Sequence, residues 1–170
     1  MDSNNTEVLK KAIEMEEEGK QFYLQSAQKA KSLLARKIFQ ELADEEELHK
    51  EKIEELFEDL RQGKSLNKWV TKVADSSKLE KVFQDSLMEK ATASSDDLDA
   101  LRFALDLENK SVKYYENLNE ATSDPRQRRF YLTLSQEERG HYLKLLDSIE
   151  YLTDPEDWFQ VKEKPGLDGA

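Results

Sequence analysis

The apolar residues of this chain recur every three to four positions in four long stretches, which is the period of amphipathic helices. The first two stretches predict a helical hairpin over about 7–62, and the last two predict a second hairpin over about 95–152. Residues suited to the N-caps precede the four helices, and these are Asn4 or Asn5, Ser32, Ser94 or Ser95, and Asp124, which Pro125 follows. Gly63 suits the C-cap of the second helix.

The segments outside the hairpins also contain large apolar residues. A crossover of about 64–93 includes Trp69, Val70 and Phe83, so we expect one or two short helices there. In the tail, 153–170, we expect the aromatic residues to pack on the bundle or on a second subunit. Two hairpins joined by one long connection are typical of the ferritin-like bundle. We therefore predict an all-α fold, a single ferritin-like four-helix domain over 1–170.

Six ionisable residues lie on the apolar stripes of these helices, where an isolated charge is costly. The chain has only two histidines, and each closes an E-x-x-H motif, Glu46 to His49 and Glu138 to His141. Another glutamate stands thirty residues before each motif glutamate, Glu16 before Glu46 and Glu108 before Glu138. The whole pattern occurs twice at an offset of 92 residues, which indicates an internal duplication.

Helical geometry selects these glutamates from their acidic neighbours. At about 100° per residue, Glu46 falls about 30–40° from the centre of its apolar stripe, and Glu45 falls about 60–70° off on the other side. The same geometry selects Glu138 over Glu137. We expect Glu45 and Glu137 to flank the site, and Gly140 to point away from it.

Four carboxylates on facing stripes would repel each other and take up protons at neutral pH. Two divalent cations would neutralise them and leave two neutral imidazoles as further donors. The sequence therefore predicts a two-metal site whose ligands are Glu16, Glu46, His49, Glu108, Glu138 and His141. Oxygen and imidazole donors without sulfur suit iron, manganese, cobalt or zinc.

The composition excludes several other classes of protein. The net charge of −11 disfavours nucleic acid and anionic membranes as partners, and no apolar run is long enough to span a bilayer. The N-terminal residues have neither the basic nor the apolar region of a secretory signal, so we expect a cytoplasmic location. With no cysteine, the chain has no thiolate ligand and no disulfide.

At these motifs the chain resembles the rubrerythrin-type members of the ferritin-like superfamily. The resemblance runs over about 7–62 and 95–152 and rests on segments such as Ala43-Asp44-Glu45-Glu46-Glu47-Leu48-His49 and Glu138 to His141. It implies a centre of two iron ions that reduces hydrogen peroxide, with one electron from each iron. By the same resemblance Glu46 and Glu138 would bridge the metals, and Glu16 and Glu108 would each bind one of them.

The chain departs from that family in two respects. It lacks the cysteines of a rubredoxin domain, so the resemblance implies a separate electron-donor protein. Ser111 stands where rubrerythrins tend to have a further glutamate, and its counterpart in the first hairpin is Gly19.

Three functions remain open from the sequence. They are an oxidoreductase acting on peroxide or oxygen, ferrous iron binding and oxidation without turnover, and a metal-stabilised structural bundle. Tyr23 and Tyr115 can pack and donate hydrogen bonds to the ligands, or can quench oxidising equivalents, and we favour packing with a hydrogen bond. A homodimer is compatible with the sequence.

Overall fold

The computed structural model describes residues 3–62 and 95–162, and nearly all of these residues are helical. The helices are α1 (Ser3–Lys29), α2 (Leu33–Arg61), α3 (Ser95–Ala121), α4 (Pro125–Thr153) and α5 (Pro155–Lys162). Helix α1 packs along α2, and α3 packs along α4, so both predicted hairpins form. Contacts of α2 with α4 and of α1 with α3 join the hairpins into a bundle. The predicted all-α, ferritin-like bundle is confirmed, while Gly63 and the crossover of 64–93 lie outside the described residues.

The helix starts follow the capping residues in most cases. Asp124 precedes α4 and accepts the backbone N–H of Arg126 at 2.8 Å, with Pro125 in the first turn. The hydroxyl of Ser32 accepts the N–H of Ala35 at 3.4 Å at the start of α2. The prediction for the first helix was wrong, since α1 begins at Ser3 and includes Asn4 and Asn5 in its first turn.

Residues 155–162 form a short helix, α5, in addition to the four predicted helices. Its start repeats the Asp-Pro signal of α4, because Asp154 precedes Pro155 and accepts the N–H of Asp157 at 3.0 Å. Trp158 then packs edge-on against Tyr151, with ring centroids 5.3 Å apart. Its indole Nε1 donates to Asp147 at 2.9 Å, which confirms that this aromatic residue packs on the bundle.

Two apolar layers fill the bundle above and below a polar middle. One layer is built around Leu34, Ile38, Leu42, Leu101 and Leu145, and the other around Leu9, Ile53, Leu56, Phe130 and Leu134. Burial of each large apolar side chain contributes about 1.5–3 kcal/mol, so these layers supply the stability that a charged middle opposes. None of the described helices has a stretch apolar and long enough to cross a membrane.

Candidate metal centre

The structure brings all six predicted residues together between the two apolar layers. Each of the four central helices contributes, α1 with Glu16, α2 with Glu46 and His49, α3 with Glu108, and α4 with Glu138 and His141. All six are at most 4% exposed. Donor atoms of Glu46, His49, Glu138 and His141 lie within 4.8 Å of one another.

One group of donors surrounds the Nδ1 atom of His49. This nitrogen lies 2.8 Å from Oε1 of Glu138, 3.2 Å from Oε2 of Glu16 and 4.0 Å from Oε2 of Glu46. Donors held by a common ion at about 2.0–2.2 Å lie roughly 3–4 Å apart. The three carboxylates and this imidazole therefore have the spacing of one coordination sphere.

A second group surrounds Nδ1 of His141 and mirrors the first. This nitrogen lies 3.5 Å from Oε1 of Glu46, 3.5 Å from Oε1 of Glu108 and 3.8 Å from Oε2 of Glu138. Glu46 and Glu138 thus present one oxygen to each histidine, whereas Glu16 and Glu108 each approach only one of them. This division of oxygens is the one that two bridging and two terminal carboxylates would show.

Three buried atoms of the cluster have no hydrogen-bond partner, namely Oε2 of Glu108, Oε1 of Glu138 and Nδ1 of His141. Oε1 of Glu138 does lie 2.8 Å from Nδ1 of His49, within one of the two groups of donor atoms. Leaving buried polar atoms unpaired costs about 1–3 kcal/mol each. Because all three are electron-pair donors, cations would satisfy them, and the residues present fit two metal ions.

The pKa values of the four carboxyls divide in the same way. Burial, together with the charges of Glu16 and Glu108, raises the pKa of Glu138 to about 8. Burial and the charges of Glu138 and Glu16 likewise raise the pKa of Glu46 well above its usual range. Carboxyl groups in this state take up protons when no cation is present.

The carboxyls of Glu16 and Glu108 have lowered pKa values. Burial alone would raise the pKa of Glu16, but hydrogen bonding and the charge of His49 lower it. The pKa of Glu108 is lowered in the same manner, chiefly by His141. A neighbouring positive charge and hydrogen bonds therefore outweigh burial at Glu16 and Glu108, whereas neighbouring negative charges add to the effect of burial at Glu46 and Glu138.

A tyrosine from the opposite hairpin donates a hydrogen bond to each of the carboxylates of Glu16 and Glu108. The hydroxyl of Tyr23 donates to Oε1 of Glu108, and the hydroxyl of Tyr115 donates to Oε1 of Glu16. Both tyrosine rings are buried, and burial and these carboxylates raise the pKa of both hydroxyls well above the usual range. The predicted packing with a hydrogen bond is confirmed, and both tyrosines stay protonated at neutral pH.

The outer nitrogens of the histidines contact Glu45 and Glu137, which the sequence predicts only as flanking residues. Nε2 of His141 lies 3.0 Å from Oε2 of Glu45, and Nε2 of His49 lies 3.2 Å from Oε2 of Glu137. Glu45 and Glu137 are themselves 92 residues apart, and this recurrence was the signal in the sequence that could have indicated a role for them. Gly140, in contrast, is exposed and has no neighbouring atoms where a side chain would be, as expected.

A cavity of about 200 Å³ leads to the cluster between α1 and α3. Glu16, Glu46 and Glu108 line its inner end, and the exposed residues Glu18 and Lys110 line its outer end. Gly19 and Ser111 also line it, and a Cβ atom at Gly19 would lie only 3.4 Å from the carboxyl carbon of Glu46. Small residues at this duplicated position therefore leave room beside the carboxylates.

Comparison with known proteins shows the fold and the family of the chain. A solved structure, a hypothetical protein from Pyrococcus furiosus, has a TM-score of 0.61 and 22% identity, over 86% of this chain and 88% of that one. At that identity the likeness shows a shared fold. The comparison with curated proteins gave no match. A sequence profile of the Rubrerythrin family matches residues 7–149, which include both E-x-x-H motifs and both upstream glutamates, and the chain belongs to that family.

Proposed function

We propose that this protein is a di-iron oxidoreductase that reduces hydrogen peroxide to water with electrons from a separate donor protein. The observation that carries the proposal is the division of carboxylate oxygens between the two histidines. Glu46 and Glu138 each turn one oxygen towards each Nδ1 atom, which supports two coordination spheres that share these two carboxylates.

The proposed ligands are the six buried residues, with Glu46 and Glu138 bridging, and Glu16 and Glu108 terminal. Membership of the Rubrerythrin family favours iron among the metals that accept oxygen and imidazole donors. Two ferrous ions, when bound, supply the two electrons that reduction of one peroxide requires. Two protons complete the balance, so that each peroxide gives two molecules of water.

The chain's own residues admit the oxidant and keep the ligands in place. The cavity beside Gly19 is wide enough for peroxide or oxygen and ends at three of the four carboxylates. Tyr23 and Tyr115 hold the terminal carboxylates from the opposite hairpin. Among the described residues, apolar layers lie on both sides of the cluster along the bundle.

Electrons must come from outside the 170 residues, because the chain has no cysteine to hold a rubredoxin-type iron. A cytoplasmic location stays a prediction from the sequence, and a homodimer is compatible with it.

The test is anaerobic loading with ferrous iron followed by rapid mixing with peroxide or with oxygen. We expect two irons per chain, oxidation that is much faster with peroxide than with oxygen, and one peroxide consumed per two ferrous ions. Re-reduction by a small electron-carrier protein should then restore the reaction. Equal rates with oxygen, and no re-reduction, would instead favour iron binding and oxidation without turnover.

Variants of adjacent residues test the ligands. Replacement of Glu46 by Ala should remove bound iron, whereas replacement of Glu47 by Ala should not, since Glu47 pairs with Lys20 and Lys50 near the surface. Full iron content in the Glu46→Ala variant would contradict the assignment of Glu46 as a bridge. A chain that binds metal but reacts with neither oxidant would be a metal-stabilised bundle.

A further inference from the structure

The histidines of the cluster are held from outside by residues of the opposite hairpin. His141 lies on α4, and its Nε2 atom contacts Glu45 on α2 at 3.0 Å. His49 lies on α2, and its Nε2 atom contacts Glu137 on α4 at 3.2 Å. An Nε2–H that donates to a carboxylate leaves the lone pair on Nδ1, the atom that faces the cluster in both histidines.

A lysine fixes each of these outer carboxylates. Lys144 lies 2.7 and 2.6 Å from the two oxygens of Glu45, and Lys52 lies 3.0 and 3.1 Å from the two oxygens of Glu137. The side chain of Lys144 is only 7% exposed, and that of Lys52 is 29% exposed. Charged groups as buried as Lys144 and Glu45 need such pairing. The carboxylate of Glu45 therefore cannot turn away from His141 without losing its ion pair with Lys144.

The sequence motif is therefore longer than E-x-x-H. Glu45-Glu46-x-x-His49-x-x-Lys52 and Glu137-Glu138-x-x-His141-x-x-Lys144 both read E-E-x-x-H-x-x-K. On each helix the histidine and the lysine lie three residues apart, and both reach the same glutamate on the facing helix. The first glutamate of each motif contacts the Nε2 atom of the histidine in the other motif.

We propose that Glu45 and Glu137, each fixed by a lysine of the facing helix, are positioning residues that set the ring orientation and tautomer of the opposite hairpin's metal-binding histidine. The inference rests on the proposed metal centre but not on the proposed reaction with peroxide. Outer carboxylates of this kind typically contribute 10–100-fold to metal affinity.

Zinc binding tests the proposal without any redox chemistry. Titration of the metal-free chain with Zn²⁺ should show an affinity about 10–100-fold lower in Glu45→Leu and Glu137→Leu than in the wild type, with a smaller loss in Glu45→Gln, which keeps an acceptor oxygen. Glu41→Gln is the matched control, because Glu41 lies one turn earlier on α2 and contacts Lys144 at 3.4 Å. This control should bind zinc as the wild type does.

The two imidazoles give a second measurement that a general loss of stability would not reproduce. Since the chain has only two histidines, the zinc-loaded protein has two sets of imidazole nitrogen NMR signals, which His49→Gln and His141→Gln would assign. Glu45→Gln should shift the Nε2 signal of His141 and leave that of His49 in place, although His49 is the nearer in sequence. A Lys144→Met variant should also shift the His141 signal, since Glu45 loses its fixing partner.

The possible results separate the two proposals. Unchanged zinc affinity in Glu45→Leu and Glu137→Leu, or a Glu45→Gln shift confined to His49, would overturn the positioning role and leave the peroxide reaction untouched. Absence of peroxide reduction by the iron-loaded wild type would overturn the proposed function while the zinc results still stand.

Discussion

Glu138 should destabilise the metal-free protein, so its replacement by Gln should stabilise that form. The pKa of Glu138 rises from 4.5 to about 8 on folding, because of burial and the charges of Glu16 and Glu108. A carboxyl group whose pKa is raised by folding does not lower the free energy of unfolding at a pH below its unfolded pKa. It lowers the free energy of unfolding progressively as the pH rises towards its folded pKa. The amide of Gln resembles the protonated carboxyl and does not titrate.

The magnitude follows from the pH interval. Between pH 4.5 and pH 7 the unfolded carboxyl ionises while the folded one stays protonated, at about 1.4 kcal/mol per pH unit. The Gln variant should therefore gain about 3 kcal/mol in free energy of unfolding relative to the wild type between pH 4.5 and pH 7. Comparison of the two proteins at both pH values removes any constant cost of the amide.

The assay is urea denaturation of chelator-treated protein, followed by circular dichroism of the helices. Glu137→Gln is the control, since His49 and Lys52 outweigh burial and lower the pKa of Glu137, so loss of that charge should destabilise the protein at pH 7. Saturating zinc should reverse the order, because ligand binding stabilises the wild type and the Glu138→Gln variant lacks a bridge. A Glu138→Gln variant that gains no stability between pH 4.5 and pH 7 would refute this reasoning.

Four further predictions concern access, hydrogen bonding, proton release and helix propensity. Gly19→Leu should fill the cavity and slow oxidation by peroxide at least tenfold per bound iron in stopped-flow measurements, whereas Gly140→Leu, on the exposed side of α4, should not. Tyr23→Phe should lower the free energy of unfolding by about 1–3 kcal/mol in urea, because buried Glu108 loses its donor. Zinc binding at pH 7 should release protons, detected by calorimetry in two buffers, since Glu138 has a pKa of about 8 without metal, and the release should fall above pH 8. Gly140→Ala should raise the free energy of unfolding by about 0.5–1 kcal/mol, and no gain would show that this glycine has a role in the fold.

The hairpins and the six buried residues were predictable because they depend on local periodicity. The rotation of about 100° per residue was sufficient to place Glu46 inside and Glu45 at the side of the same helix. The structure agrees, with side-chain exposures of 6% and 20%. The start of α1 was missed because several polar residues there are equally good caps, and a cap is a weak preference of about 1 kcal/mol.

The contacts of Glu45 and Glu137 could not be predicted from one helix at a time. They depend on the distance and rotation between α2 and α4, which packing of the apolar layers sets. Glu45 recurs as Glu137, and Lys52 recurs as Lys144, at the 92-residue offset. This recurrence indicated that the four residues matter, but it did not indicate which residues they contact. Helix α5, in contrast, was predictable from the sequence. Its Asp154-Pro155 start has the same form as the Asp124-Pro125 start of α4, which was predicted.

The hydrogen bonds of the two buried tyrosines have a consequence for how such a centre can arise. Tyr23 of the first hairpin bonds to Glu108 of the second, and Tyr115 of the second bonds to Glu16 of the first. The same contact is therefore made twice, once in each direction between the two copies. Reciprocal contacts of this kind are the rule in a twofold-symmetric homodimer. A gene for one hairpin could therefore have produced the complete centre from two identical chains. Fusion of two copies would then have allowed the two halves to diverge, and the equivalent positions Gly19 and Ser111 now carry different residues.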